Sequence, residues 1–351
     1  RAELFDVVII DEASQMDVAN AILPLCSLAQ GGTLILAGDP KQLPPIHKAE
    51  APLGLENMVG NVYSFMKDFN QVTEVMLDRN YRSNKQIVEL GYIAGYGRNL
   101  VSHSPDLKLS LISPLSTTKP ANWPTSLFWT QHWNDIMDPD KPVVCFIYPD
   151  GKSSQWNDFE VETTAALIQT VINNVSDQLA NEIDANGVMI PTSTNPYTAD
   201  EFWKQGIGIV TPHRAQQSKL VTRLQQLFGG SVSNPSIIRD AVDTVERFQG
   251  QQRDIIIASF ALGDPDLIRD EEEFLMSLNR FNVIASRARA KLVVLVSQEI
   301  IDHMGTDLDI LRDSRLLKVF SDTYCSKMIP MQLGFLQNQT VSYVSGVLKY
   351  R

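Results

Sequence analysis

Cysteine is scarce. Three residues, Cys26, Cys145 and Cys325, are spread through 351 positions and none forms a Cys-x-x-Cys pair. That argues against a zinc site or a disulfide scaffold and fits a reducing, cytoplasmic compartment. Cys26 and Cys145 lie in apolar stretches and read as buried free thiols. Long apolar runs are also missing. None approaches the roughly 20 residues of a membrane-spanning helix, so no membrane partner is expected. Positive charge is in deficit: 30 Lys and Arg against 41 Asp and Glu give a formal net charge of -11. Tight non-specific attraction to a polyanion by bulk charge is therefore not expected, although a local basic groove can coexist with an acidic total.

The length allows about two domains, and the richest stretch is the opening, Leu4 to Pro45. Val7 to Ile10 form an unbroken apolar run that stops at Asp11-Glu12. Such a run reads as a strand inside a parallel sheet with helices on both sides. Ligands of such sheets sit beyond the carboxyl ends of the strands. A second apolar strand, Thr33 to Ala37, ends in Gly38-Asp39-Pro40-Lys41-Gln42. Asp-Glu after a strand is equally well a solvated acidic turn; Gln42 at the matching end of the second strand favours a site. In nucleotide hydrolases an aspartate holds Mg²⁺ and a nearby group orients the attacking water, which suits Asp11 and Glu12, with Gln42 sensing the terminal phosphate. Between the strands, Ala19, Ile22, Leu23, Leu25 and Leu28 have helical spacing, and Gly31-Gly32 is expected to end that helix.

Leu53 to Phe69 reads as a helix and Val72 to Leu77 as a strand leading into Asp78-Arg79-Asn80-Tyr81-Arg82-Ser83. A helix is expected from Asn84 to Tyr96. Gly97 to Pro142 is irregular, and a loop of that length marks function or a domain crossing. Its Trp123, Trp129 and Trp133 are read first as pins of the loop, and second as stacking surfaces for bases. Val143 to Tyr148 opens a second domain. Gly151-Lys152-Ser153 imitates the end of a phosphate-cradling loop, but the earlier glycine of G-x-x-x-x-G-K-[ST] would be Phe146, so it is rejected. Ser154, Asn157 and Glu160 read as caps of a helix running to about Val175. Leu179 to Phe202 reads as a surface insertion.

Ile207 to Val210 is a strand ending in Thr211-Pro212-His213-Arg214, followed by a helix with Leu220, Leu224 and Leu227. His213 reads as a polar cap. Val242 to Gly250 (VDTVERFQG) precedes a buried strand, Ile255 to Ser259. Asp264 to Glu273 is expected to be a solvated acidic loop. Leu278 to Arg289 holds LNRFNVIASRAR, and Leu292 to Val296 closes the sheet. The tail from Ile300 reads as partly helical.

Taken in order, DEASQ at 11–15, GDPKQLPP at 38–45, the Tyr81-Arg82 pair, VDTVERFQG and NVIASRAR resemble motifs II, III, IV, V and VI of superfamily 1 helicases. The branch is that of the nonsense-mediated-decay helicase, and the resemblance covers residues 4–297. It implies an α/β fold of two RecA-like parallel-sheet domains, the first truncated on its N-terminal side. The divisions are residues 1–100, an irregular crossing segment 101–142, a second domain 143–300 and a tail 301–351 of unknown role. It implies an ATP-dependent helicase or translocase on single-stranded DNA or RNA, moving 5′ to 3′ and hydrolysing ATP in the cleft between the domains.

By the same resemblance Asp11 holds Mg²⁺ and Glu12 is the general base. Gln42, Arg82 and Arg287 act on phosphate, Arg287 as an arginine finger with Arg289 as competitor. Tyr81 stacks on adenine. Gln249, Gly250 and Gln252 line the nucleotide. Thr211, Arg214, Gln216 and Thr244 contact the nucleic acid backbone. The chain departs from the family at Gln252, where a glutamate is usual. No Walker A loop occurs in these residues, so an upstream segment of the same protein is the expected partner. The rival reading is a non-hydrolysing nucleic-acid-binding or scaffold module, and a nuclease is a weaker third.

Overall fold

The computed structural model describes residues 4–45, 53–54, 59–70, 72–248, 250–337 and 339–351. Its chain divides into two compact units, Arg1–Leu77 and Asp78–Arg351. The division falls ahead of the crossing segment expected at 101–142, and Asp78 to Leu100 belongs to the second unit.

In the first unit, β1 (Phe5–Ile10) pairs in parallel with β2 (Leu28–Leu36). The helix Val18–Leu25, capped by Asp17 accepting from the Asn20 amide, connects them. The β-branched run Val7 to Ile10 favours the extended chain. Its side chains alternate between faces. Val8 and Ile10 point into a small core with Ala13, Ala21 and Val62, while Val7 and Ile9 are 51% and 65% exposed. The expected burial on both faces is therefore met on one face only among the described residues. That face is covered by the helices Val18–Leu25 and Val62–Asn70. Gly31-Gly32 does not end the helix; it lies inside β2, where the pairing slips between Phe5 and Val7. Gly31 there takes φ +79°, the usual glycine role at a bulge. Val72 to Leu77 forms no strand, and Cys26 is exposed at the end of its helix instead of buried.

In the second unit, β3 (Arg79–Asn80) and β4 (Val101–Ser102) make a short parallel pair beside the helix Lys85–Ile93. Among the described residues the main sheet has seven strands, in the order β10-β11-β5-β9-β8-β6-β7. Five are parallel: β5 (Val143–Tyr148), β6 (Ile207–Thr211), β7 (Val242–Thr244), β8 (Arg253–Ser259) and β9 (Ala288–Ser297). β9 lies inside the sheet between β5 and β8 and does not close it. The sheet is extended by an antiparallel hairpin, β10 (Lys327–Gln337) and β11 (Thr340–Tyr350), which joins β5 through Val347–Tyr350. This is the mixed α/β architecture, with a mostly parallel sheet, that RecA-like helicase domains have. The helices Asp158–Val171 and Arg214–Phe228 pack their buried residues on the sheet.

The irregular stretch before β5 is held by its tryptophans. Trp123 and Trp133 are buried edge to face, with centroids 5.4 Å apart. Their indole N–H groups donate to the carbonyls of Leu127 and Phe128. This is the pinning role expected first. The acidic segment is not a solvated loop. It forms the short helices Pro265–Asp270 and Glu272–Leu275, and the buried Glu272 accepts from Thr306 and pairs with His303.

Candidate nucleotide and nucleic-acid site

Parallel pairing of β1 and β2 brings Ile10 opposite Leu36, so Asp11-Glu12 and Gly38 to Gln42 leave at one edge. The two turns are bonded. Ala13 N donates to Ala37 O at 2.8 Å, and Asp39 N donates to Ser14 Oγ at 3.2 Å. A side chain at Gly38 would meet Ser14 N at 2.8 Å, so the close approach needs glycine. Glu12 has φ +52°, a left-handed conformation uncommon outside glycine and, where it occurs, a pointer to function. Gln15 Nε2 donates to Glu12 Oε2 at 2.6 Å, and Glu12 N donates to Asp11 Oδ1 at 2.9 Å. Gln42 Nε2 donates to Asp39 Oδ2 at 3.0 Å.

Asp11 and Glu12 are both exposed. One accessible carboxylate at a strand end suits Mg²⁺, which takes one or two carboxylates and completes its shell with phosphate and water. A cage made wholly of protein ligands is absent among the described residues. The donor set fits Mg²⁺ held together with a nucleotide.

In the second unit, residues far apart in sequence meet at the amino ends of β8 and β9. Arg82 Nε donates to Gln252 Oε1 and Nη1 to Ser286 O, both at 2.9 Å. The neighbouring backbone is tied to the same place: Ser83 Oγ donates to Ala288 O at 2.6 Å and Asn84 N to Arg289 O at 3.0 Å. Arg287 follows the helix Leu278–Ser286. It is 3% exposed and makes long contacts to Val283 O at 3.3 Å and Gln251 O at 3.4 Å. Arg289 turns elsewhere, to Asp254 Oδ1 at 2.9 Å and Glu182 Oε1 at 2.6 Å. Burial holds the Asp254 carboxyl above its ordinary range, against the opposing pull of Arg289 and of the Tyr197 hydroxyl. Tyr81 is 65% exposed and leans on His103, with centroids 4.5 Å apart. Gly250 takes φ +83°. Gln249 lies outside the described residues.

The nucleic-acid candidates gather at the opposite edge of the sheet. Thr211 and Thr244 are register partners at the carboxyl ends of β6 and β7, and both are buried. Arg214 is exposed at the first position of the helix Arg214–Phe228. Gln216 does not join them. It is fully buried, with Oε1 accepting from Asn157 N at 2.9 Å and Nε2 donating to Ser259 Oγ at 2.8 Å.

Several structural partners escape sequence reasoning. The supposed surface insertion supplies Glu182 to Arg289, Tyr197 to Asp254 and the Asp184 carbonyl to His103. Glu160, read as a cap residue, is a fully buried acceptor for Tyr148 and Ser259 hydroxyls and the Ala261 amide. Nothing in spacing or periodicity signals these long-range pairs.

Comparison with known proteins follows the same lines. The sequence family described as "AAA domain" matches residues 62–299, and a second family of that description matches residues 1–50. The chain is 28% identical to the DNA replication ATP-dependent helicase/nuclease dna2 of Schizosaccharomyces pombe, over 86% of this chain and 19% of that protein. It is 26% identical to Helicase SEN1 of Saccharomyces cerevisiae, over 89% of this chain and 12% of that protein. It is 25% identical to the human RNA helicase Mov10l1, over 83% of this chain and 22% of that protein. The chain thus spans less than a quarter of the length of these three relatives. On the match over most of its length, the chain belongs to the AAA-domain helicases of superfamily 1B, in the branch of the nonsense-mediated-decay helicase.

Proposed function

We propose that this chain is part of the motor core of an ATP-dependent helicase or translocase acting 5′ to 3′ on single-stranded DNA or RNA. The observation that carries the reading is the bonded pair of turns at the carboxyl ends of β1 and β2, which sets Asp11-Glu12 beside Asp39 and Gln42. Asp11 would hold Mg²⁺. When bound with ATP, that ion neutralises charge on the phosphate oxygens.

Glu12 is the general base in this reading. Gln15 donates to its Oε2, which orients the carboxylate. Gln42, oriented through Asp39, senses the terminal phosphate. Arg82 and Arg287 stabilise the phosphoryl charge, a role worth about 10³ to 10⁵ in rate where an arginine finger is complete. Tyr81 offers its exposed face to adenine, Gln249 and Gly250 belong to the nucleotide side, and Gln252 accepts from Arg82. Thr211, Thr244 and Arg214 contact the nucleic acid backbone.

The test is Glu12→Gln in the longest natural chain that contains this segment. ATP should still bind while steady-state hydrolysis disappears. Undiminished turnover removes Glu12 from the role of base.

A further inference from the structure

We infer that Gln252 is a positioning residue that sets the guanidinium of Arg82 for a terminal phosphate, instead of touching the nucleotide itself. The inference rests on the proposed phosphate role of Arg82 and adds what governs it.

Among the partners of Arg82 along its fork are two neutral oxygens, Gln252 Oε1 at Nε and Ser286 O at Nη1. Both bonds are of ordinary length, and two contacts on one planar group fix its orientation as well as its place. Each end of the grip is itself anchored. Asn80 Oδ1 accepts from Arg82 N at 2.9 Å, and the next two residues bond to Ala288 and Arg289 carbonyls. Arg253 N donates to Arg287 O at 3.0 Å, which fixes the chain just after Gln252. Gln251, just before it, accepts from Arg287 through its carbonyl and from Arg253 through its side chain. The stretch Gln251 to Arg253 therefore touches both candidate phosphate arginines, and the side chain of Gln252 is its contact to Arg82. Supporting contacts of this kind decide whether a charged group is held within productive geometry.

The chemistry of the acceptor matters. An amide oxygen orients the guanidinium and leaves its field in place. A carboxylate at the same position would form a stronger, charge-assisted bond. It would also place a negative charge close to where phosphate must come, and that repulsion grows with each charge on the nucleotide. Gln252 should therefore tune preference for a triphosphate over a diphosphate, through Arg82.

The experiment uses the longest natural chain carrying this segment. Dissociation constants for Mg-ADP and a non-hydrolysable Mg-ATP analogue are measured for wild type, Gln252→Glu, Arg82→Ala and the double variant, with thermal midpoints confirming folding. Wild type should prefer the triphosphate. Gln252→Glu should reduce that preference on the order of tenfold with ADP affinity nearly unchanged. In the Arg82→Ala background the same substitution should have little further effect, the signature of action through Arg82. A triphosphate preference that Gln252→Glu leaves intact overturns this inference alone. So does a loss that persists without Arg82, since Gln252 would then act on the nucleotide directly. A folded wild type that binds neither nucleotide overturns the proposed function and this inference together.

Discussion

Arg289 Nη1 lies 2.9 Å from Asp254 Oδ1, in a pair whose carboxylate is almost wholly buried. Two residues apart on the chain, Arg287 and Arg289 differ in their partners: one donates to the carbonyls of Val283 and Gln251, the other to a buried acid. Arg289→Ala should therefore act on stability. Removing one partner of a buried ion pair costs about 3–5 kcal/mol, read as a lower midpoint in chemical denaturation. Arg287→Ala should lower ATP turnover far more than ATP affinity. The opposite pattern, with a stable Arg289→Ala chain that no longer turns over, would exchange the two roles.

Glu160 gives the second unit a pH-dependent stability. Full burial raises its carboxyl from the ordinary 4.5 to about 7, with the bonds from Ser259, Tyr148 and the Ala261 amide pulling the other way. Folded, the group keeps its proton up to about 7; unfolded, it releases it near 4.5. The folded state holds more protons across that window, so stability falls as pH rises through it and the loss is complete above the folded value. Urea midpoints of wild type and Glu160→Gln should diverge between the two values, with the variant losing this component of the fall. Parallel profiles would remove Glu160 as its source.

Trp133 closes the core beneath the irregular stretch, fully buried against Trp123 and bonded to Phe128 O at 3.2 Å. Trp133→Ala should cost about 3–5 kcal/mol, measured by denaturant unfolding. A near-neutral change would show that the stretch is held by something else and would return Trp123 and Trp133 to the reading of base-stacking surfaces.

Legibility in the sequence follows the range of the interaction. Val143 to Tyr148 and Ile255 to Ser259 are plain, because buried parallel strands are continuous apolar runs. The hairpin Lys327–Tyr350 is not legible, because Val341 to Lys349 (VSYVSGVLK) shows no regular apolar–polar alternation and no Asn-Gly pair lies between its two strands in the sequence. The solvated reading of Glu272 failed because His303 and Thr306, which bury it, come some thirty residues later. The same holds for the candidate site. The motif residues are readable one by one from resemblance. That Arg82 meets Gln252 across 170 residues, or that Glu182 holds Arg289 across 107, is set by the topology of the sheet.

The central claim is a nucleic-acid-driven ATP motor. Its most direct test is ATP hydrolysis by the longest natural chain containing this segment, with and without single-stranded DNA and single-stranded RNA. Hydrolysis stimulated by one of them is the predicted result, and the better stimulator names the substrate. A folded chain with no hydrolysis under any of these conditions would contradict the account and favour a binding module that keeps the fold without the reaction.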